Sequence, residues 1–341
     1  MKKGIIGFVV IVTVIMMVIW GVCAKNAEAG PVVLKLATVE PPQAFNVKDV
    51  WAPVIEKMNK EGEGILKIEI FAGGTLGRNP MQLMKTLMDG VTDICHIINA
   101  YLPGQLKDDQ VINTPFMAKN SFDCSMALHY MQEKNILRGY EELFVMAQIC
   151  LDQYGIHTKF PVKVPGDLKG RKMRTAGKMH DLVKACGATP VAMPITKVAE
   201  SISRGVVEGT ISDWNAMQTF RINDVAHYHC LVPMGCNSLM LAMTKKKYEN
   251  LPPEAKAIID KYSGESFSRF WAEKMDAHMD AIRVKTSKDP EHTIYTPNEE
   301  EMKQWKAVMA QATADWDKDN ENWGKLLKGY TEGLAKAGTL K

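Results

Sequence analysis

Between Asp167 and Asn215 the chain alternates short strand-forming runs with helical segments, and this alternation limits the folds open to it. A Leu168-Lys169-Gly170 turn leads into a strand that carries Arg174 near its end. A helix follows from about His180, then a Gly187-Ala188-Thr189-Pro190 turn and a short strand over 191–193. A second helix starts near Thr196 and stops at Arg204-Gly205, and a last strand over 209–212 ends in Asp213-Trp214-Asn215. The order β-α-β-α-β demands a parallel sheet, because each helix is the crossover that returns the chain to the same sheet edge. Open sheets of this kind take ligands at the carboxyl ends of their strands. Arg174 and the Asp213–Asn215 triplet are therefore expected beside a crevice.

The amino-terminal half has the same alternation. A strand is expected over 32–38, broken by Glu40-Pro41-Pro42. A helix over 47–60 is marked by Val50, Trp51, Val54, Ile55 and Met58 at helical spacing, and a strand follows over 66–71. Met81, Leu83, Met84 and Leu87 mark the next helix, and a strand over 92–98 ends in Asn99-Ala100-Tyr101, again at a carboxyl end. Asn99 offers polar contacts there and Tyr101 a ring, although a core position for Tyr101 is equally consistent with the pattern. Residues 122–137 read as helix, 143–151 as strand and 237–243 as strand. Pro252, Pro253 and Glu254 open a helix whose pattern runs to about Val284 through Gly264, longer than one small domain is wide. The segment 297–333 is helical and charged, with Trp305, Trp316 and Trp323 read as packing residues.

With 341 residues the chain can bury two domain cores. The net charge of +3 is partly carried by Lys2, Lys3 and Lys25, so the remainder is nearly neutral and has no basic stripe that would suit a nucleic acid. Lys2-Lys3, the apolar run 4–24 and Ala27-Glu28-Ala29 have the form of a signal peptide cleaved after Ala29. An uncleaved anchor and a lipoprotein cut before Cys23 are the alternatives. The later cysteines show no Cys-x-x-Cys spacing and read as small apolar residues; Cys230 and Cys236, either side of Pro233-Met234-Gly235, are the one pair whose spacing suggests a bridge.

The ordered set Leu168-Lys169-Gly170-Arg171-Lys172-Met173-Arg174, then Gly187-Ala188-Thr189-Pro190-Val191-Ala192-Met193-Pro194, then Gly205-Val206-Val207-Glu208-Gly209 resembles the solute-binding proteins of TRAP transporters, the DctP-type periplasmic binding proteins. The likeness extends over most of the chain after residue 31. It implies an α/β fold of two domains of the type II-like periplasmic-binding-protein kind, each a mostly parallel sheet flanked by helices, with a long helix spanning both. Domain I would comprise 30–154 plus about 238–284, and domain II 155–237 plus about 285–341, with the C-terminal helices packing on both. It further implies a periplasmic location, a small organic acid as ligand, a two-part membrane permease as partner, and no cofactor or metal. Monomer and dimer both remain open.

In that family the arginine of the Lys-x-Arg step binds the ligand carboxylate, and a planar fork of donors suits that task. Arg174 is thus the expected anchor. Trp214 and Asn215, Asn99 and Tyr101, Gln153 and Tyr154 at the crossing between domains, Glu40 in the first loop, and Asn237 and Ser238 where the chain returns complete the expected ligand set. Asp213 reads either as a sensor of a ligand amine or as a helix cap. Many relatives carry a second arginine near the crossing; here none stands between Leu151 and Lys169. A lone guanidinium with Trp214, Tyr101 and Tyr154 favours a monocarboxylate with an apolar or aromatic body over a C4-dicarboxylate or sugar acid. His227, His229 and Cys230 resemble metal ligands, but no second cluster completes a site. Gly-x-Ser-x-Gly, His-Glu-x-x-His and phosphate-loop motifs are absent. An exported enzyme or a ligand sensor on the same fold are the rival readings.

Overall fold

The computed structural model describes residues 30–338, so the leader and its cleavage after Ala29 lie outside the described residues. The strands are β1 (Val32–Ala37), β2 (Leu66–Phe71), β3 (Ile94–Ile98), β4 (Leu143–Cys150), β5 (Gly155–Thr158), β6 (Lys172–Thr175), β7 (Thr189–Ala192), β8 (Gly209–Ser212), β9 (Tyr228–Cys230), β10 (Ser238–Thr244) and β11 (Thr293–Tyr295). They form two sheets with the orders β2-β1-β3-β10-β4 and β11-β9-β5-β8-β6-β7. In β1, period-two alternation buries Leu34 and Leu36 while Val33 stays exposed. β8 is buried along its whole length, as a central strand covered on both faces should be.

Each sheet is parallel except for one strand. In the first sheet β10 runs antiparallel to both β3 and β4, and in the second β5 runs antiparallel to both β8 and β9. These are the two strands that enter directly from the other lobe. The native strands end at the side that faces the neighbouring lobe. A strand arriving across the gap starts from that side and must run the opposite way. The two crossings lie together and hydrogen-bond each other: Leu151 N–H donates to Asn237 O at 2.7 Å, Tyr154 N–H to Gly235 O at 2.9 Å, and Met234 N–H to Tyr154 O at 3.1 Å. They make a narrow two-stranded hinge.

The long helix expected from Pro252 to Val284 is two helices, Pro253–Lys261 and Glu265–Ser287. The break falls at Gly264, whose φ of 77° and ψ of −147° belong to a region essentially only glycine occupies. Its N–H leaves the helical ladder for Met146 O on β4, at 2.7 Å. The 23 residues of the second helix still extend roughly 34 Å by a rise of about 1.5 Å per residue, and it packs on β4 and on the helix Trp214–Thr219 of the other lobe. The tail is broken as well, into Glu299–Thr313, Trp316–Asp319 and Trp323–Ala337. Its first helix packs on the second lobe, where Trp305 Nε1 donates to Lys163 O at 2.8 Å, and its last packs on the helix Ser121–Glu133 of the first. Trp305, Trp316 and Trp323 are buried. The suggested Cys230–Cys236 bridge is not formed: both are free thiols, Cys230 at the end of β9 and Cys236 in the hinge beside Gln153 Nε2.

The hinge tolerates little at Gly235. Its φ is 85°, and a Cβ there would lie 2.2 Å from Asn113 O and 2.5 Å from Asn113 C, backbone atoms that cannot swing away. At Gly264 the added atom would meet nothing within 4 Å, so only backbone strain opposes it. Gly264→Ala should therefore cost about 1–2 kcal/mol. Gly235→Ala should cost clearly more, to be read as the larger fall in Tm when the two variants are unfolded in parallel.

Candidate functional site

A small cavity lies between the lobes at the carboxyl ends of β1, β3, β6 and β8; water-sized guests have about 40 Å³ there, less than a ligand site needs, so the lobes must part to admit a larger molecule. Arg174, on β6, is only 2% exposed and stands on its wall. Its Nε donates to Met193 O at 3.1 Å and its Nη2 to Tyr101 Oη at 2.9 Å. Among the described residues no carboxylate forms a salt bridge with it, and Nη1 has no hydrogen-bond acceptor. The guanidinium is thus oriented by neutral groups, and its charge acts on Asp213 of the same wall without a direct salt bridge. Tyr101 comes from the turn after β3 in the first lobe, and its hydroxyl oxygen also accepts from Ile195 N–H at 2.8 Å in the second. One phenol therefore spans the gap and fixes the arginine.

Two acids share this wall. Glu40 follows β1; its Oε1 accepts from Asn46 Nδ2 at 2.9 Å, while Oε2 is buried without a partner. Asp213 follows β8; its Oδ1 accepts from Ala216 N–H at 2.9 Å, capping the helix Trp214–Thr219, while Oδ2 is buried without a partner. Burial raises the Glu40 carboxyl to about 7, opposed by the Asn46 hydrogen bond and assisted by the Asp213 charge. Burial likewise raises Asp213 to about 6, against the helix N–H groups and Arg174. Tyr154, Phe220, Ile98, Leu151 and Leu239 supply ring and aliphatic surface, and Asn215 a polar edge.

Of the residues expected from the sequence, Arg174, Tyr101, Tyr154, Glu40 and Asn215 meet at this cavity. The other five are placed elsewhere. Trp214 is not on its wall and packs its ring on His157 and His229, with centroids 5.0 and 4.9 Å apart, at the first turn of the helix that Asp213 caps. Asn99 and Ser238 are both bonded to the buried Asp109, at 2.5 and 3.0 Å. Asn237 accepts from Asn113 Nδ2 at 2.9 Å, and Gln153 accepts from Gly235 N–H at 3.0 Å, so both fasten the hinge. Asp213 carried a sequence signal, an acid at a strand end, whereas Phe220 sits at a helix end with none.

Of the two histidines that resemble metal ligands, His227 lies with Nε2 3.4 Å from Asp224 O, and His229 joins a chain of histidines. His157 Nε2 lies 3.2 Å from Ser212 O, His157 Nδ1 2.8 Å from His229 Nδ1, and His229 Nε2 2.9 Å from His292 Nδ1. A carbonyl only accepts, so His157 donates from Nε2 and the remaining donors follow in sequence, His229 from Nδ1 and His292 from Nδ1. Burial depresses His157 to about 4 and His229 to about 2, keeping this chain neutral behind Trp214.

Comparison with known proteins agrees with this architecture. The DctP family, described as bacterial extracellular solute-binding protein, family 7, matches residues 36–319. A TRAP solute-binding protein from a marine metagenome, specific for aromatic acid ligands and crystallised with 3-hydroxybenzoate, superposes with a TM-score of 0.84 at 27% identity, over 91% of this chain and 99% of its own. A TRAP solute-binding protein from Rhodoferax ferrireducens T118, holding copurified benzoate, superposes with a TM-score of 0.83 at 27% identity, over 90% of this chain and 98% of its own. The C4-dicarboxylate-binding periplasmic protein DctP of Rhodobacter capsulatus is 23% identical over 248 residues, 70% of this chain and 73% of its own.

The raised Glu40 value has a definite sign. The folded protein holds this proton after an unfolded glutamate has released it, so the ionised carboxyl costs stability increasingly as pH rises from about 4.5 to about 7. Glu40→Gln keeps the acceptor for Asn46 and removes the charge. Its Tm relative to the unaltered protein should rise across that interval, by several degrees in ligand-free protein; a difference that stays flat with pH would contradict the assignment.

Proposed function

This chain belongs to family 7 of the bacterial extracellular solute-binding proteins, the DctP family, and on that premise we propose that it captures a monocarboxylate with an aromatic body and delivers it to a TRAP permease. The family consists of solute-binding proteins that hold small organic acids and work with membrane permeases, not of enzymes. Among the described residues no helix is long and apolar enough to cross a membrane. In our reading the signal peptide directs the mature protein to the periplasm.

The observation that carries the ligand assignment is Arg174. A buried cation with no direct salt bridge is costly, and a ligand carboxylate would relieve that cost through two parallel hydrogen bonds. Tyr101, Tyr154 and Phe220 would enclose the rest of the ligand with flat apolar surface. Among the described residues no second arginine stands on the cavity wall to hold another carboxylate. The two solved relatives at 27% identity, with 3-hydroxybenzoate and benzoate, support the same class. Capture would draw the lobes together about the hinge, because the anchor on one lobe is oriented by a phenol on the other.

Thermal-shift and calorimetric titrations test this reading, since a ligand that binds only the folded state raises Tm. Benzoate-like acids should stabilise the protein and succinate should not. Arg174→Ala should lose binding by at least about a hundredfold while remaining folded. Tyr101→Phe should weaken binding by roughly tenfold, since it removes one hydrogen bond to the charged anchor. Stabilisation by succinate but not by aromatic acids, or undiminished binding in Arg174→Ala, would overturn the proposal.

A further inference from the structure

The cavity holds more acceptors than a simple aromatic acid would use. Glu40 is 3% exposed and Asp213 1% exposed, and each keeps one carboxyl oxygen buried and unpartnered on the wall that Arg174 shares. They come from opposite lobes, Glu40 from the end of β1 and Asp213 from the end of β8, and their charges act on each other. Buried acceptors without donors are uncommon in folded proteins, and two on the wall of one cavity suit a guest that supplies a donor. A ligand bearing only a carboxylate and a hydrocarbon ring would cover both oxygens and leave both unpaired. A second ligand carboxylate would be worse, since it would bring another acceptor and a like charge to two acids.

We propose that the ligand carries an N–H or O–H donor, apart from its carboxylate, that Glu40 Oε2 and Asp213 Oδ2 receive. The assignment rests on the carboxylate reading of Arg174 and narrows it: one end of the ligand is an acceptor for the guanidinium, and the body presents a hydroxyl or amino group to the acid pair. Because one acid sits on each lobe, a single donor group placed between them would contact both only when the lobes are together. The pair would then select ligands and reinforce closure at once. Burial that keeps both carboxyls easily protonated also suits a neutral hydroxyl, since one acid can hold a proton while the other accepts.

Isothermal titration with matched acids tests this. Benzoate and meta-methoxybenzoate lack a donor; meta-hydroxybenzoate and meta-aminobenzoate offer a neutral one, and meta-(aminomethyl)benzoate a cationic one. Hexanoate and 6-hydroxyhexanoate form an aliphatic pair. Donor-bearing acids should bind at least about tenfold tighter than their donorless partners, because a site built around buried acceptors rejects analogues that leave them unpaired. The hydroxy and aminomethyl arms separate a neutral from a cationic donor. In Glu40→Gln and Asp213→Asn, each isosteric, the donor preference should fall severalfold. Should the aliphatic pair bind more tightly than the aromatic acids and keep its donor preference, the aromatic reading fails and this one stands. Equal affinity within every pair, a preference that survives both substitutions, or no binding of any acid in the panel would overturn it.

Discussion

The proposed mechanism depends on a buried guanidinium that has hydrogen bonds but no direct salt bridge. Arg174 is held by a backbone carbonyl and a phenol, both neutral, which fix its direction without cancelling its charge. An ion taken out of water is stabilised only when an opposite charge or a full set of hydrogen bonds replaces the solvent. Met193 O and Tyr101 supply part of that set, and in the proposed mechanism the unpaired Nη1 edge of the fork receives the ligand. Ordinary structural arginines in this protein contrast with it: Arg138 donates to Asp108 from both Nε and Nη2, and Arg171 is paired with Glu208.

The topology puts that arginine where another lobe can reach it. Parallel strands in each sheet end on the same side, so Glu40, Tyr101, Arg174 and Asp213 all gather where the two sets of carboxyl ends meet. The antiparallel β5 and β10 are the geometrical result of sharing strands between lobes, and they bring both crossings into one two-stranded hinge. With Tyr101 accepting from Ile195 N–H and from Arg174, the position of one lobe is bonded to the orientation of the anchor on the other. Ligand capture and lobe closure are thereby one coupled event in the proposed mechanism.

Much of this was legible in the sequence where local chemistry decides the outcome. β8 falls at 209–212 as expected, because the turn at Arg204-Gly205 ends the helix before it and Asp213 caps the helix after it. β2 likewise occupies 66–71, between glycine turns. The break at Gly264 was not legible, because the glycine that ends the helical ladder is compatible with a helix until the acceptor on Met146 is known. Of the expected site residues, Arg174, Tyr101, Tyr154, Glu40 and Asn215 are at the cavity because strand ends and crossings are where this fold opens. Trp214 is not, since its side depends on the helix that begins there and on His157 and His229, distant in sequence, against which it packs. Asn99 and Ser238 are drawn away by Asp109, a buried acid distant from both in sequence, which no local pattern reveals.

The most direct measurement is mass spectrometry of the small molecules released when protein purified without added ligand is denatured, with Arg174→Ala prepared in parallel. The proposed mechanism predicts an aromatic monocarboxylic acid with a hydroxyl or amino group, present in the unaltered protein and missing from the variant. A dicarboxylate or sugar acid in its place, or the same molecule retained by the variant, would contradict it.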